Sequence, residues 1–217
     1  MCPPAPGVPL LPIPGLPEPT THHACLAVDL CGSTGRSRAD LLRLRALLYE
    51  LLRGGCAAAG LVWEDLHHED RGDGVLLVAP PQVSVELLLG PVAAWLHHLA
   101  RRHNHTAHDG DRLRLRVAVT AGYLQFDESG VAGAALNLLF RLLDGAAVKT
   151  TMSACGTDFV LVTSDQVHRE VIVPGSGWVD PHDYSPLHVE NKETSVPAWI
   201  WIPSGSLSSA PLDVIPR

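Results

Sequence analysis

The chain has 217 residues, a formal net charge of −7, 46% hydrophobic residues and 18% charged residues. These proportions indicate a globular domain with a buried core and argue against a disordered chain. The acidic balance provides no basic surface for nucleic acid, so we expect no nucleic-acid partner.

The cysteines and the N-terminal segment bear on the cellular location. The five cysteines are scattered and form no Cys-x-x-Cys pair, which favours a reducing cytoplasm over a disulfide scaffold. The N-terminal segment has no basic region and no unbroken apolar stretch, so we expect no secretory signal. No run of about 18 apolar residues occurs, so we predict no membrane association and a cytoplasmic protein.

Proline sets the N-terminal segment apart from the rest of the chain. Residues 1–20 contain eight prolines, a density that favours extended polyproline II structure and predicts a disordered tail. Their PxxP spacings can also bind a proline-recognising domain, but a solvated tail is the preferred interpretation. Residues 204–217 are small and polar and predict a flexible C-terminal tail. One folded domain is therefore expected over residues 21–203.

The folded region begins with a strand, a helix and two further strands. The apolar run at 24–30 predicts a buried strand, and leucines at helical spacing predict a helix over Ser37–Ala59. The segments 61–70 and 75–79 predict two strands that pair across the Gly-Asp-Gly turn at 72–74.

The second half continues the alternation of helices and strands. The predicted elements are a helix over Val83–His105, one or two strands in 112–126, a helix over 135–144 ended by Gly145, a strand at 158–165, a short helix near Gln166–Val171, and strands at 186–191 and 197–202. The order β-α-β-β-α-β with extra C-terminal strands is the ferredoxin-like pattern. We therefore predict an α/β (α+β) sandwich whose helices pack on a mostly antiparallel sheet.

Two acidic residues lie where an apolar run meets a turn. Asp29 is near the end of the first predicted strand, and Asp73 lies in the hairpin turn. One helix and one strand separate them, so both carboxylates can reach the same edge of the sheet. Close carboxylates repel each other unless a hard cation such as Mg²⁺ lies between them, and such an ion commonly takes phosphate oxygens as its other ligands. This pattern predicts a metal-dependent nucleotide enzyme.

The turn after Asp29 is suited to phosphate. Gly32, Ser33 and Thr34 precede the first helix, and backbone N–H groups at such a turn can bind an anion. The turn has neither a Walker lysine nor a G-x-G-x-x-G pattern, so it is neither a P-loop nor a Rossmann loop.

Four motifs, in order along residues 22–202, resemble the catalytic domain of the class III nucleotidyl cyclases. They are Asp29-Leu30-Cys31-Gly32-Ser33-Thr34, Gly72-Asp73-Gly74, the segment Gly133–Arg141, which is similar to G-x-x-V-N-x-x-x-R, and Val189-Glu190-Asn191-Lys192. The resemblance implies an enzyme that converts a nucleoside triphosphate to a 3′,5′-cyclic nucleotide and pyrophosphate. The product would act as a second messenger.

The resemblance also implies the metal ligands and the assembly. Asp29, Asp73 and the carbonyl group of Leu30 would hold two Mg²⁺ or Mn²⁺ ions per site. In this family the aspartates come from one subunit and the Asn/Arg pair from the other. This chain has both halves, so the resemblance implies a homodimer with two equivalent sites at its interface.

The remaining matched residues would bind the substrate. Asn137 and Arg141 lie at i and i+4 of one helix face, where Asn137 would orient the ribose and Arg141 would stabilise charge in the transition state. Lys192 would hold the triphosphate as a point charge.

In the class III cyclases one residue position contacts the nucleotide base, and Glu69 occupies the corresponding position in this sequence. Adenylate-making relatives have a lysine at this position, whereas a carboxylate can accept hydrogen bonds from guanine. The partner position near Ser129-Gly130 has neither the aspartate nor the cysteine of the two subclasses. GTP is therefore the first expectation and ATP the second. UTP or CTP is a further alternative, because short stand-alone cyclases of this family include pyrimidine-using antiphage enzymes.

Other functions fit parts of the sequence. A catalytically silent nucleotide-binding and dimerisation module is the main alternative, although the transferred polar positions are intact. A proline-tail adaptor is supported by residues 1–20 alone. The twelve histidines match no Cys/His spacing of a zinc site, and His97 and His98 are expected on the solvated face of the second helix.

Overall fold

The computed structural model describes residues 20–203 except Ser33, Thr34, Ser176, Lys192 and Glu193. Most of both predicted tails, residues 1–19 and 204–217, therefore lies outside the described part. Three of the predicted site residues, Ser33, Thr34 and Lys192, lie outside it as well.

The strand β1 (Thr21–Leu30) is the centre of the site-bearing half of the sheet. It pairs antiparallel with β3 (Gly74–Val78) on one side and with β4 (Leu115–Asp127) on the other. Its residues from Ala24 to Val28 are almost fully buried, because helices cover both faces of the sheet. This is why the segment reads as an unbroken apolar run instead of an alternating one.

The sheet has the order β2-β3-β1-β4-β6-β8-β7, and only β4 and β6 run parallel within it. The strand β5 pairs with the last residues of β4. The remaining bounds are β2 (His67–Asp70), β5 (Gly130–Ala132), β6 (Phe159–Ser164), β7 (Tyr184–Asn191) and β8 (Thr194–Trp201).

The first helical layer covers one face of the sheet. Helix α1 (Arg38–Ala58) begins after Ser37, whose hydroxyl oxygen accepts a hydrogen bond from the Asp40 N–H. The chain leaves this helix at Gly60, which has a φ of 74°. Helix α2 (Val85–Leu87) passes through a π turn (Leu88–Val92) into α3 (Ala93–Asn104).

The second layer covers the opposite face and consists of α4 (Ala134–Asp144) and α5 (Ala146–Ala154). A last short helix, α6 (Asp165–Val167), continues into a π turn over His168–Ile172 and packs with the first layer. Among the described residues, no helix is both long enough and apolar enough to cross a membrane.

Alternate residues of β1 contribute to two separate cores. Val28 and Leu30 pack with α1 and α3, whereas Cys25 and Ala27 pack with α4 and α5. Successive side chains of a strand point to opposite faces. Asp29 therefore faces the layer formed by α4 and α5.

The predicted fold class is confirmed. The elements from β1 to β4 form the ferredoxin-like core with the strand order β2-β3-β1-β4, and the later strands extend the sheet beyond β4. The predicted hairpin across 72–74 is present as the antiparallel pair of β2 and β3. The first helix has the predicted bounds to within one residue at each end.

Two predicted elements have different bounds. The segment 61–70 is not one strand, because Trp63–Asp65 forms a 3₁₀ turn that buries the Trp63 side chain. The helix predicted over 83–105 begins at Val85 and widens into a π turn around Pro91. Proline has no N–H group for the regular helical hydrogen bond, which accounts for this local change.

Two elements were not predicted. Helix α5 has only nine residues and no long apolar repeat of helical spacing, and it is stabilised by burial of Val148 and Met152. Strand β5 has three residues, which is too short for a recognisable pattern.

Replacing Gly74 should destabilise the fold at the start of β3. A Cβ atom there would lie 2.5 Å from the Val28 carbonyl oxygen, so Gly74→Ala should lower the free energy of unfolding by about 1–3 kcal/mol. Gly110→Ala is the control, since a Cβ atom there meets nothing within 4 Å and should change stability by less than about 0.5 kcal/mol. Urea unfolding of both variants measures the difference, and equal stabilities would contradict this packing account.

Candidate active site

The end of β1 and the hairpin turn meet through the backbone. The Leu30 N–H donates to the Asp73 carbonyl oxygen at 2.9 Å, and Asp29 lies opposite Gly74 in the strand register. Only glycine fits this approach, because a Cβ atom on Gly74 would collide with Val28 and lie 3.3 Å from the Asp29 Cβ. The structure therefore brings Asp29, Leu30 and Asp73 together at one edge of the sheet.

A buried ion pair holds the Asp29 side chain. Arg116 lies directly opposite Asp29 on β4; its Nε donates to Asp29 Oδ1 at 3.0 Å and its Nη2 donates to Oδ2. The two side chains are 13% and 15% exposed, respectively. A bidentate pair of this kind fixes both the position and the rotation of the carboxylate.

The electrostatic surroundings of Asp29 are unfavourable for a second negative charge. Burial raises the pKa of the Asp29 carboxyl group, Arg116 opposes this rise, and the charges of Asp73 and Asp144 add to it. A cation placed at this edge would favour the ionised form of Asp29 and would offset its repulsion by the Asp73 charge.

The carboxylate pair fits a Mg²⁺ or Mn²⁺ ion that shares its coordination with phosphate. Among the described residues, no three His, Cys, Asp or Glu side chains form a complete metal cage. Mg²⁺ commonly needs only one or two protein carboxylates and takes its other ligands from substrate and water. The Asp29 oxygens keep lone pairs beyond those that accept from Arg116.

Cys31 lies beside this pair but has no ionised sulfur. Burial raises the pKa of its thiol to about 11, and the nearby Asp29 charge adds to the rise. Its Sγ lies 3.6 Å from the Met152 Sδ. The side chain therefore packs as a neutral thiol at neutral pH and provides no ligand for a hard cation.

A second group of polar residues surrounds Glu69 on β2. The Glu69 carboxylate, 29% exposed, accepts from Arg71 at 2.6 Å and lies 2.9 Å from the His67 Nε2. A Cβ atom on Gly130 would lie 3.5 Å from the same carboxylate. The structure thus brings Glu69 next to Gly130, the two positions that the sequence singled out for base recognition.

Arg71 extends this pocket towards α4. Its guanidinium carbon lies 5.0 Å from the centre of the Phe140 ring, a cation–π arrangement. Phe140 lies between Asn137 and Arg141 along α4. Neither Arg71 nor Phe140 is among the site residues predicted from the sequence.

Helix α4 places Asn137 and Arg141 on its outer side. Asn137 is exposed and Arg141 is half-buried. The helix is fixed to the sheet where the Thr120 hydroxyl donates to the Ala135 carbonyl oxygen at 3.0 Å.

The end of β7 adjoins the last turn of this helix. The Asn191 Nδ2 donates to the Arg141 carbonyl oxygen at 3.3 Å, and Asn191 directly precedes Lys192. Two of the four sequence motifs therefore meet here.

Arg116 is the main site residue that the sequence analysis did not identify. Arginines alternate with leucines over 112–116, which is typical of one face of a strand, but this pattern does not reveal a partner for any arginine. Only the register of β1 against β4 places the guanidinium opposite Asp29.

Comparison with known proteins identifies the fold. No family model matches the sequence, and no curated protein matches it. An adenylate/guanylate cyclase/hydrolase from Silicibacter pomeroyi is 21% identical, with a TM-score of 0.61 over 86% of this chain and 99% of the other. The chain has a nucleotidyl cyclase fold. This confirms the resemblance to class III cyclase domains at the level of structure.

Two further structures agree with this conclusion. The guanylyl cyclase Cya2 is 17% identical, with a TM-score of 0.59 over 86% of this chain and 93% of its own. The guanylate cyclase domain of RhGC from Catenaria anguillulae, solved in complex with GTP, is 12% identical, with a TM-score of 0.54 over 84% and 96%. Identities this low establish the fold alone.

Breaking the Asp29–Arg116 pair should destabilise this cyclase-like domain. Arg116→Met leaves a buried carboxylate without its partner and should cost about 3–5 kcal/mol of unfolding free energy. The double variant Asp29→Asn/Arg116→Met removes the stranded charge and should recover most of that loss. Urea unfolding of the two single variants and the double variant measures the coupling, and simple additivity would contradict it.

Proposed function

We propose that the chain is a metal-dependent nucleotidyl cyclase that forms a 3′,5′-cyclic nucleotide and pyrophosphate from a nucleoside triphosphate. The observation that carries the proposal is the Leu30–Asp73 backbone hydrogen bond, which joins both aspartates at one edge of a cyclase fold. The complex of a structurally similar guanylate cyclase domain with GTP is consistent with this substrate class.

Asp29, Asp73 and the Leu30 carbonyl group would hold two Mg²⁺ or Mn²⁺ ions. When bound, such ions neutralise the triphosphate and favour deprotonation of the 3′-hydroxyl group. The Asp29–Arg116 pair keeps the first carboxylate in one orientation before any ligand arrives.

The other polar residues would bind and orient the nucleotide. The turn residues Gly32, Ser33 and Thr34 would contact phosphate through their backbone N–H groups. Lys192 would add a positive charge for the triphosphate, and Asn191 already anchors the end of its strand to α4.

Asn137 and Arg141 would act on the ribose and on the reacting phosphate. Asn137 would orient the ribose by hydrogen bonds to its oxygen atoms and hydroxyl groups. Arg141 would stabilise the negative charge that develops when the 3′-hydroxyl group attacks the α-phosphate. Both residues lie on the outer side of α4, where the ribose of a neighbouring protomer's nucleotide can reach them.

The pocket around Glu69 favours guanine. Its carboxylate can accept from the guanine N1–H and amino group, and the Arg71 guanidinium can donate to the O6 atom. The small residue Gly130 leaves room beside the carboxylate. GTP is therefore the first proposed substrate, ATP the second, and a pyrimidine triphosphate the third.

The proposed assembly is a twofold homodimer with two sites. One protomer would supply the aspartates, and its partner would supply Asn137 and Arg141. An isolated protomer would then have each half of a site on a different surface and would not turn over substrate.

A silent regulatory module is the second candidate. It is favoured by one observation, namely that Arg116 donates to both oxygens of Asp29 and so competes with a cation for them. Such a protein would bind nucleotide and dimerise without catalysis.

A measurement of substrate turnover should distinguish the active cyclase from the silent regulatory module. Purified full-length protein is incubated with ATP, GTP, CTP or UTP and Mn²⁺ or Mg²⁺, and products are resolved by mass. We expect cyclic GMP as the main product and a loss of about 10²–10³-fold in Asp73→Ala. Asp183→Ala is the matched control, because that exposed side chain lies outside the site. Nucleotide binding without any cyclic product would favour the silent module.

Mixing two inactive variants should test the shared site. Asp73→Ala and Arg141→Ala damage different halves, so a heterodimer contains one intact site and one doubly damaged site. An equimolar mixture that exchanges subunits should recover about a quarter of the wild-type activity. Each variant alone should remain inactive, and a mixture no better than the separate proteins would contradict the proposed arrangement.

A further inference from the structure

A cavity of about 730 Å³ lies away from the candidate active site. It is bounded by the last turns of α3 on one side and by the segment that leads into β6 on the other. The lining residues that matter here are His97, Arg101, Arg102, Arg112, Asp158 and Phe159. The volume is in the range of pockets that hold small organic molecules.

The lining carries an excess of positive charge. Three arginines line the cavity together with a single carboxylate, that of Asp158. Asp158 is already occupied, because it accepts from Arg112 and from the Asn104 Nδ2 at 3.1 Å. Arg101 and Arg102 are exposed, and within the described part of the chain neither forms a salt bridge.

Basic residues in the last turn of a helix also stabilise the helix dipole. That effect accounts for the presence of Arg101 and Arg102 on α3, and the salt bridge to Asp158 holds Arg112 on the opposite wall. Neither effect fills the cavity that lies between the two walls.

The floor of the cavity is aromatic and apolar. Phe159 is 1% exposed, and the His97 ring lies 5.5 Å from it between ring centres. The Trp201 ring follows at 6.3 Å from His97. The expectation that His97 faces solvent is therefore wrong for this residue, because β6 and β8 bring these two aromatic side chains against α3. Because Phe159 is covered in this way, the half-buried His97 ring is the aromatic surface that the apolar part of a ligand can contact.

The cavity walls are held in place by buried hydrogen bonds. Asn104 is 9% exposed; its Nδ2 donates to the Leu113 carbonyl oxygen at 2.7 Å and its Oδ1 accepts from the Leu113 N–H at 2.7 Å. On the other wall the Thr157 hydroxyl donates to the Phe159 carbonyl oxygen at 2.9 Å. Both walls are therefore fixed without a ligand, which lowers the ordering cost of binding.

This cavity and the candidate active site lie on opposite faces of the sheet. Phe159 belongs to the core shared with α1 and α3, whereas Asp29 faces α4 and α5. The two places are linked through the parallel pairing of β4 with β6. At its start the Leu115 N–H donates to the Asp158 carbonyl oxygen at 2.9 Å, and Leu115 precedes Arg116.

We propose that the cavity between α3 and β6 binds a small organic phosphate. The phosphate group lies against Arg101, Arg102 and Arg112, whose planar guanidinium groups match phosphate oxygens in pairs. The organic part lies on the His97 ring, which packs on the buried Phe159 side chain. This site is independent of the proposed cyclase activity.

Calorimetric titration with ribose 5-phosphate in EDTA tests the proposal, because chelation removes the divalent ions that the active site needs. We expect saturable binding by the full-length protein and weaker binding of uncharged ribose. Arg101→Gln/Arg102→Gln should raise the dissociation constant at least about tenfold, because the variant loses two guanidinium groups that bond to the phosphate. Circular dichroism checks that the double variant is folded.

Two control variants locate the binding. Arg38→Gln/Arg169→Gln removes the same charge from exposed positions outside the cavity and should bind like wild type. Asp73→Ala should also bind normally, so failure of the active-site proposal leaves this result unchanged. Absence of binding at millimolar ribose 5-phosphate, equal binding by Arg101→Gln/Arg102→Gln, or loss of binding in Asp73→Ala would each overturn the proposal. Binding of polyphosphate chains alone would overturn it too.

Discussion

The buried ion pair between Asp29 and Arg116 is the interaction on which the candidate site depends. A carboxylate near the end of a fully covered strand is costly unless a partner compensates it, and Arg116 provides that partner from the next strand. The same pair fixes the orientation of the Asp29 carboxylate, while the adjacent Leu30 N–H bonds to Asp73 in the hairpin. The Asp29–Arg116 ion pair thus contributes both to the stability of the fold and to the geometry of the candidate site.

Gly74 allows a second acidic residue, Asp73, to lie near the Asp29–Arg116 ion pair. Because β3 approaches β1 closely there, the hairpin turn comes within hydrogen-bonding distance of Leu30 and brings a second negative charge to the same edge. The negative charges of Asp29 and Asp73 therefore repel each other in the protein alone. A bound cation that also holds a polyphosphate would offset this repulsion. On the opposite face, Arg101 and Arg102, which form no salt bridge within the described residues, create a second region of unbalanced charge, this time positive.

Much of the fold follows from local patterns in the sequence. The leucine spacing of α1, the capping Ser37 and the Gly-Asp-Gly hairpin each specify their own structure, and the apolar run of β1 reflects burial on both faces. Helix α5 and the turn at Trp63 were not predictable, because both are short and depend on the burial of Val148, Met152 and Trp63 in tertiary contacts. For the site, short motifs located Asp29, Asp73 and Glu69. Arg116 and Arg71 act through partners on other strands or helices, which local sequence does not encode.

The central claim is that the Asp29–Asp73 edge binds divalent cations together with a nucleoside triphosphate. The most direct measurement is electron paramagnetic resonance of Mn²⁺ bound to the full-length protein with 3′-deoxy-GTP, which lacks the attacking hydroxyl group. The account predicts protein-bound Mn²⁺ beyond that held by free nucleotide, and its loss in Asp73→Ala. Nucleotide binding with no additional Mn²⁺, or Mn²⁺ binding unchanged by Asp73→Ala, would contradict the account.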